Sequence, residues 1–422
     1  MVKQGNFVDR MFFRYYLIIY YLYMMSVNVF FPKGGPVGYV VNGILLLFIL
    51  YASVVRNKYN SKFILVYLYL LFTLLLVIFQ SSNLLYSITN YIKYTMGLLC
   101  LPIGFNLLSS VRKLKEFQKT GIILLVLYLI NLVLANVFNW GDYYGYRVER
   151  GMDIGNVFAD GLYANAYVIV SLFLLLLLFP NKKRLIILLS AINFILIFVN
   201  MKRTVILVVI MGLVVYLLFF FFSSRTKFKF AKTQLKYVLI FLLITLFVLP
   251  FFYDEIQLRF EDRERTFQQT DEDITNEGRI AELFYISDEI VNADKISTLL
   301  LGKETLNFVG TYAEGRFGER QIHGDFAKIL HGTGVIGVLI WLFVHLFLVV
   351  WIIRMKRKVA FGPELLSYII FSLFFAFLTM YLLSMLSGVR ELVLSSSYFY
   401  ASIGGFLRYF YNRQFTSRKL IV

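Results

Sequence analysis

His323 closes the one long polar stretch of this chain, in the run Gln321-Ile322-His323-Gly324-Asp325-Phe326, where an apolar segment begins. A neutral imidazole at such a border is suited to taking a proton from a hydroxyl near neutral pH. Seven arginines sit in or beside segments where hydrophobic sequence gives way to polar sequence: Arg147, Arg150, Arg203, Arg279, Arg316, Arg320 and Arg390. A guanidinium can hold a phosphate through two parallel hydrogen bonds. A candidate base and a group of phosphate-holding cations together point to an anionic substrate. Each residue also has a plainer role to weigh. A lone histidine is often only hydrogen-bonded structure, and a lone arginine often snorkels to lipid headgroups. His331 lies two helical turns beyond His323 and can share its helix face, while His345 lies deeper in the apolar run and reads as structural. His323 and His331 are eight apart with Asp325 between them, which is not the tight ligand spacing of a zinc motif, so no metal site is expected. The chain has no phosphate-binding glycine loop, no dinucleotide fingerprint and no nucleophile elbow, so no cofactor is expected either.

The elements that must position these residues follow from composition. The 422 residues are 59% hydrophobic and 18% aromatic, with mean hydropathy +0.72. A soluble domain is roughly 45–50% apolar, so this chain needs a lipid surround. The apolar runs are continuous rather than alternating, which favours membrane-crossing helices over a barrel. The expected fold is all-α, a single polytopic membrane domain over residues 1–422 with about twelve transmembrane helices. The spans are expected at 11–31, 37–55, 63–80, 84–108, 120–138, 161–179, 184–200, 203–222, 235–253, 326–353, 363–386 and 394–411. The first reads as a retained span, because no small-residue cleavage site follows it. Cys100, the sole cysteine, lies in an apolar run and excludes an internal disulfide.

Charge then orients the spans. The net charge is +17, but the basic residues are scattered through short linkers such as Arg56-Asn57-Lys58, Lys182-Lys183-Arg184 and Arg354 to Lys358. That pattern sets membrane orientation and argues against nucleic-acid binding. Alternating linkers assign both termini to the cytoplasm. Two longer segments then face outward: residues 139–160, and residues 254–325 between spans nine and ten. The second holds 17 of the 25 acidic residues and only 8 of the 42 basic ones. Within it, Asn276 can cap a helix beginning near Arg279, with apolar residues at Ile280, Leu283, Phe284, Ile290 and Val291. All seven arginines fall on the outer side, where the charge bias predicts few cations. Together with Lys202 they favour an anionic, lipid-linked substrate over independent snorkelling.

At these positions the chain resembles the bacterial O-antigen polymerases and O-antigen ligases, the Wzy-type lipid-linked glycan transferases. Three local patterns carry the resemblance. Asn200-Met201-Lys202-Arg203-Thr204 is a short outer turn whose arginine opens an apolar span. Gly278-Arg279-Ile280 heads the loop helix and is followed by Leu300-Leu301-Gly302. His323 closes the loop ahead of Gly334-Val335-Ile336-Gly337. The architecture covers the whole chain, and the motifs cover roughly residues 200–340. The chain departs from the family where an acidic residue often precedes the glycine run; His331 and Thr333 stand there. The family's Asn-rich approach to a span is echoed only loosely by Asp160-Gly161 and Asn165.

The resemblance implies a metal-independent membrane glycosyltransferase of the bacterial cytoplasmic membrane, acting on its outer, periplasmic face. The donor would be an undecaprenyl-pyrophosphate-linked oligosaccharide repeat unit, polymerised into O-antigen of lipopolysaccharide or into capsular or exopolysaccharide. His323 would be the base and Arg203 and Arg279 the pyrophosphate contacts. Arg316, Arg320 and Arg390 would be secondary substrate contacts, with Arg147 and Arg150 in the same substrate-binding group. Membrane lipids, a chain-length regulator and a flippase are the expected partners. A ligase moving finished glycan to another acceptor is the nearest alternative. A polysaccharide transporter or flippase is the alternative of another class. The absence of related halves and the scarcity of mid-span charges weigh against it.

Overall fold

The computed structural model describes residues 15–30, 36–137, 203–223, 278–306, 325–358, 365–388 and 392–419, together with scattered positions between them that include Leu172, Tyr312, Ile322 and Gly324. The described structure is 90% helix and has no strands. Five of its helices are long and apolar enough to cross a bilayer: Gly38–Val55, Asn60–Gln80, Thr204–Phe222, Asp325–Lys358 and Leu365–Ser384. The chain is an all-α membrane protein.

The long helices are α1 (Leu17–Phe30), α2 (Pro36–Leu50), α3 (Ile64–Gln80), α4 (Leu84–Leu107), α5 (Val111–Val137) and α6 (Arg203–Ser223). After them come α7 (Gly278–Val291), the short α8 (Ile296–Leu301), α9 (Asp325–Lys358), α10 (Leu365–Ser384) and α11 (Val393–Lys419). Where the helices are described, their edges agree closely with the hydropathy reading except at three places, one of them the end of α9 at Lys358 rather than 353. The spans expected at 161–179, 184–200 and 235–253, and the outer segments expected at 139–160 and 254–277, lie wholly or largely outside the described residues. The fifth helix starts at Val111 rather than at 120, so the basic linker Arg112 to Lys119 is helical. Ser110 explains this: its hydroxyl accepts the Lys113 amide at 3.3 Å, and an Arg112–Glu116 pair follows at 3.8 Å. The last helix likewise runs past 411 to Lys419.

Small residues set the centre of the bundle. Helices α4 and α11 cross with almost no side chain between them. A Cβ on Gly104 would collide with the Ala401 backbone, and one on Gly404 with the Leu101 carbonyl and with the Phe105 amide at 2.7 Å. Lipid tails are as apolar as leucine, so close backbone packing of this kind holds membrane helices together. Helix α10 is the most enclosed of the five span candidates, with 67% of its window buried against 39% or less in the others. It packs on α6 through Phe219 and Phe375, whose rings stack at 3.9 Å. Cys100 is fully buried in the same core and donates to the Met96 carbonyl at 3.2 Å.

A second, smaller core lies where the polar segment meets the bundle. Ile286 and Ile290 of α7 pack with Leu306, Tyr312, Ile322, Ala327 of α9 and Val77 of α3. The segment after α8 is tied down by polar contacts. The Ser82 amide and hydroxyl both donate to Glu304, the amide at 3.0 Å. Asn90 donates to the Leu306 carbonyl at 3.1 Å. Leu306 itself has φ +62°, a left-handed conformation unusual for leucine, held by its burial and by this bond.

Helix α9 is two helices joined at a kink. Gly334 has φ 59° and ψ −165°, outside the helical region and open in practice only to glycine. The kink lets the chain at Leu300–Gly302 press against the backbone of residues 331–334. A Cβ on Gly334 would lie 2.5 Å from the Gly302 nitrogen and from the Leu300 carbonyl, and one on Gly302 would lie 2.6 Å from the His331 carbonyl oxygen. The Lys303 amide donates to that same carbonyl at 2.8 Å. Two sequence motifs thirty residues apart, Leu300-Leu301-Gly302 and the glycine run after His331, therefore form one backbone contact.

Candidate functional site

The amphipathic helix expected near Arg279 is α7, and its buried face matches the expected stripe in part: Ile290 is fully buried and Leu283 packs against the second core. Phe284 and Val291 are 67% and 60% exposed. The inward stripe is Glu282, Ile286 and Ile290, spaced by four, with Ala281 beside it. Glu282 is wholly buried, which a lone carboxylate could not sustain. Among the described residues, each of its oxygens meets a donor. The Tyr312 hydroxyl donates to Oε1 at 2.9 Å, and the Gly324 amide donates to Oε2 at 3.4 Å. Sequence reasoning passed over Glu282 because it scores a carboxylate as outward-facing. The available signal was its four-residue spacing from Ile286 and Ile290.

Further polar groups are buried at the head of α9. Asp325 is its first residue and Lys328 lies three positions on, at 0% and 5% exposure. An acidic residue in a first turn is favoured by the helix dipole. His331 is 1% exposed, and its ring lies edge-on to Tyr312 with centroids 6.3 Å apart. Neither ring nitrogen has a hydrogen bond of good geometry among the described residues, although the Glu304 backbone faces the ring. The Thr305 hydroxyl is 2.5 Å from the Gly332 carbonyl oxygen and 3.0 Å from Gln80 Oε1, and Lys303 pairs with Glu289 of α7. The second histidine of the apolar run is different in kind. His345 bonds the Trp341 carbonyl at 2.9 Å and the Tyr400 hydroxyl at 3.1 Å, inside the bundle.

Of the residues singled out by sequence, Arg203 is the first residue of α6 and Arg279 the second of α7; their side chains lie outside the described residues. His323, Arg316, Arg320, Arg390, Arg147 and Arg150 lie wholly outside them. His323 is nevertheless bracketed by described neighbours. Ile322 is buried in the second core, and Gly324 is bonded to Glu282. A basic residue in the first turn of a helix opposes the helix dipole, whereas an anion at the same place is stabilised by it. Two such arginines, each opening a helix, suit an anionic ligand. Among the described residues, no three His, Cys, Asp or Glu side chains gather where a metal ion could be held. No protein-family model and no curated protein matches the chain.

Proposed function

We propose that this protein is a polytopic glycosyltransferase that joins undecaprenyl-pyrophosphate-linked oligosaccharide repeat units on the outer face of a bacterial cytoplasmic membrane. The observation that carries the reading is the docking of α7, with Arg279 in its first turn, onto the head of α9 beside the position of His323. The contact between Glu282 and Gly324 supports this reading, because those residues stand three after Arg279 and one after His323 in the chain. In the reaction, an acceptor sugar hydroxyl attacks the anomeric carbon of the donor glycan. The new C–O bond forms as the bond to pyrophosphate breaks, and undecaprenyl pyrophosphate leaves with the electron pair. His323 takes the hydroxyl proton. Arg203 and Arg279 offset the charge that develops on the leaving group, the task a metal performs in other transferases. Arg316, Arg320, Arg390, Arg147 and Arg150 contact substrate around them. The finer topology belongs to the same proposal: twelve spans, both termini cytoplasmic, residues 139–160 and 254–325 outside, and a chain-length regulator and flippase as partners.

Three experiments test it. In a Cys100-free protein in intact cells, an impermeant thiol reagent should label a cysteine replacing Gln269 and not one replacing Lys183. The reverse pattern would turn every proposed active residue to the wrong compartment and end the reading. Purified protein given a lipid-linked repeat unit alone should then extend it; a strict need for a separate acceptor would identify a ligase instead. Arg203→Ala and Arg279→Ala should each lower extension about tenfold or more, the range for losing a hydrogen-bonded charge, with lysine rescuing only partly for lack of the planar fork. Full activity in both alanine variants would reduce these residues to headgroup contacts.

A further inference from the structure

Glu282 carries an inference that rests on the glycosyl-transfer reading and extends it. Its carboxylate is buried completely and divides its two oxygens between Tyr312 Oη at 2.9 Å and the Gly324 amide at 3.4 Å. Both partners come from the far end of the polar segment, thirty and forty-two residues along the chain. Glu282 stands three residues after Arg279 on α7, and Gly324 stands between His323 and Asp325, the first residue of α9. One carboxylate therefore joins the helix that carries Arg279 in its first turn to the backbone next to His323. An ionised acceptor makes stronger hydrogen bonds than a neutral one, and an amide left buried without its acceptor is costly. Apolar packing alone does not explain the choice of residue. Ile286 and Ile290 already bury this face of α7, and an aliphatic residue at 282 would continue the stripe.

We propose that Glu282 is a positioning residue that fixes the loop end bearing His323 relative to the helix start bearing Arg279, so that base and leaving-group contacts act on one bound donor. It touches no substrate and acts through Gly324 and Tyr312. Misplacing a catalytic group by about 1 Å lowers rates by roughly 100-fold, so the loss falls on turnover rather than on donor binding.

The test combines a structural reporter with kinetics. Among the described residues, a Cβ at Gly324 would meet Ala327 Cβ at 3.9 Å, an ordinary contact, so Gly324→Cys is the reporter placed on this backbone. In a Cys100→Ser protein, its labelling by an impermeant maleimide should be slow. Glu282→Ala should speed it about tenfold, the factor for one lost buried hydrogen bond. With residue 324 left as glycine, Glu282→Ala and Glu282→Gln should lower kcat roughly 10- to 100-fold with KM for the lipid-linked donor unchanged. Glutamine keeps one acceptor and should fall between alanine and the parent. Tyr312→Phe should act in the same direction, and its effect should shrink in the Glu282→Gln background. If Glu282→Ala fails to reach the membrane, the glutamine variant, which preserves volume, decides. Unchanged labelling, or faster labelling with unchanged kcat, overturns the positioning role. Faster labelling in a protein whose parent extends no donor leaves the Glu282 tether standing and removes the glycosyl-transfer reading.

Discussion

His323→Ala is expected to lower turnover at least ~100-fold, the low end of what a positioned general base contributes. The amount of protein in the membrane should stay near that of the parent. The reason lies in the position rather than in the residue type alone. His323 follows Ile322, which is anchored in the second core, and precedes Gly324, whose amide is bonded to Glu282. The backbone on both sides is held by other groups, so truncating the imidazole leaves the junction's scaffold in place. His331→Ala should be milder for activity and more costly for stability, since that ring is buried against Tyr312. His345→Ala should act only through packing, because its nitrogens are spent on Trp341 and Tyr400. The measurement is polymer length on gels from cells lacking the parent protein, with membrane abundance of each variant alongside. Normal polymer from His323→Ala would sink the base assignment and leave the arginine-based donor site intact.

The second large effect is expected at Gly334. Gly334→Ala forces a side chain onto a backbone with φ 59° and ψ −165°, which costs of order 1–3 kcal/mol by itself. The new Cβ also meets the Gly302 nitrogen and the Leu300 carbonyl at 2.5 Å, and these are backbone atoms that cannot swing aside. The contact between Leu300–Gly302 and the kink must open, and with it the link from Lys303 to the His331 carbonyl. The total is on the order of 3 kcal/mol or more, in the range that marks a disrupted core. The variant should show a lower melting temperature in detergent, faster proteolysis between α7 and α9, and little polymer. Gly43→Ala is the matched control, since a Cβ there meets nothing within 4 Å among the described residues and alanine is the better helix former. Equal stability of the two variants would mean that the kink is not required.

What the sequence by itself determined is the class of molecule and, among the described residues, the location of its long helices. Membrane insertion and helix position depend on local sums: a window of some twenty apolar residues reads as a span wherever it stands. That is why Thr204 to Phe222, and Leu365 to Ser384, are recognisable with nothing else known. A helix headed by Gly278-Arg279 was legible for a similar reason, from short-range periodicity. Tertiary structure decided how far the inward face of that helix extends and that it includes a carboxylate. Phe284 and Val291 look buried to any local rule, and Glu282 looks exposed. Ile290 turns inward as expected, and Glu282 joins it because Tyr312 and Gly324 supply donors from thirty and forty-two residues away. Gly334 is similar. In sequence it is one glycine among several in an apolar helix, and only the approach of the Leu300–Gly302 backbone turns it into a kink that no other residue can occupy. Burial of a polar group and strain at a glycine are properties of a pair of distant segments, and a sum over neighbours in sequence does not contain them.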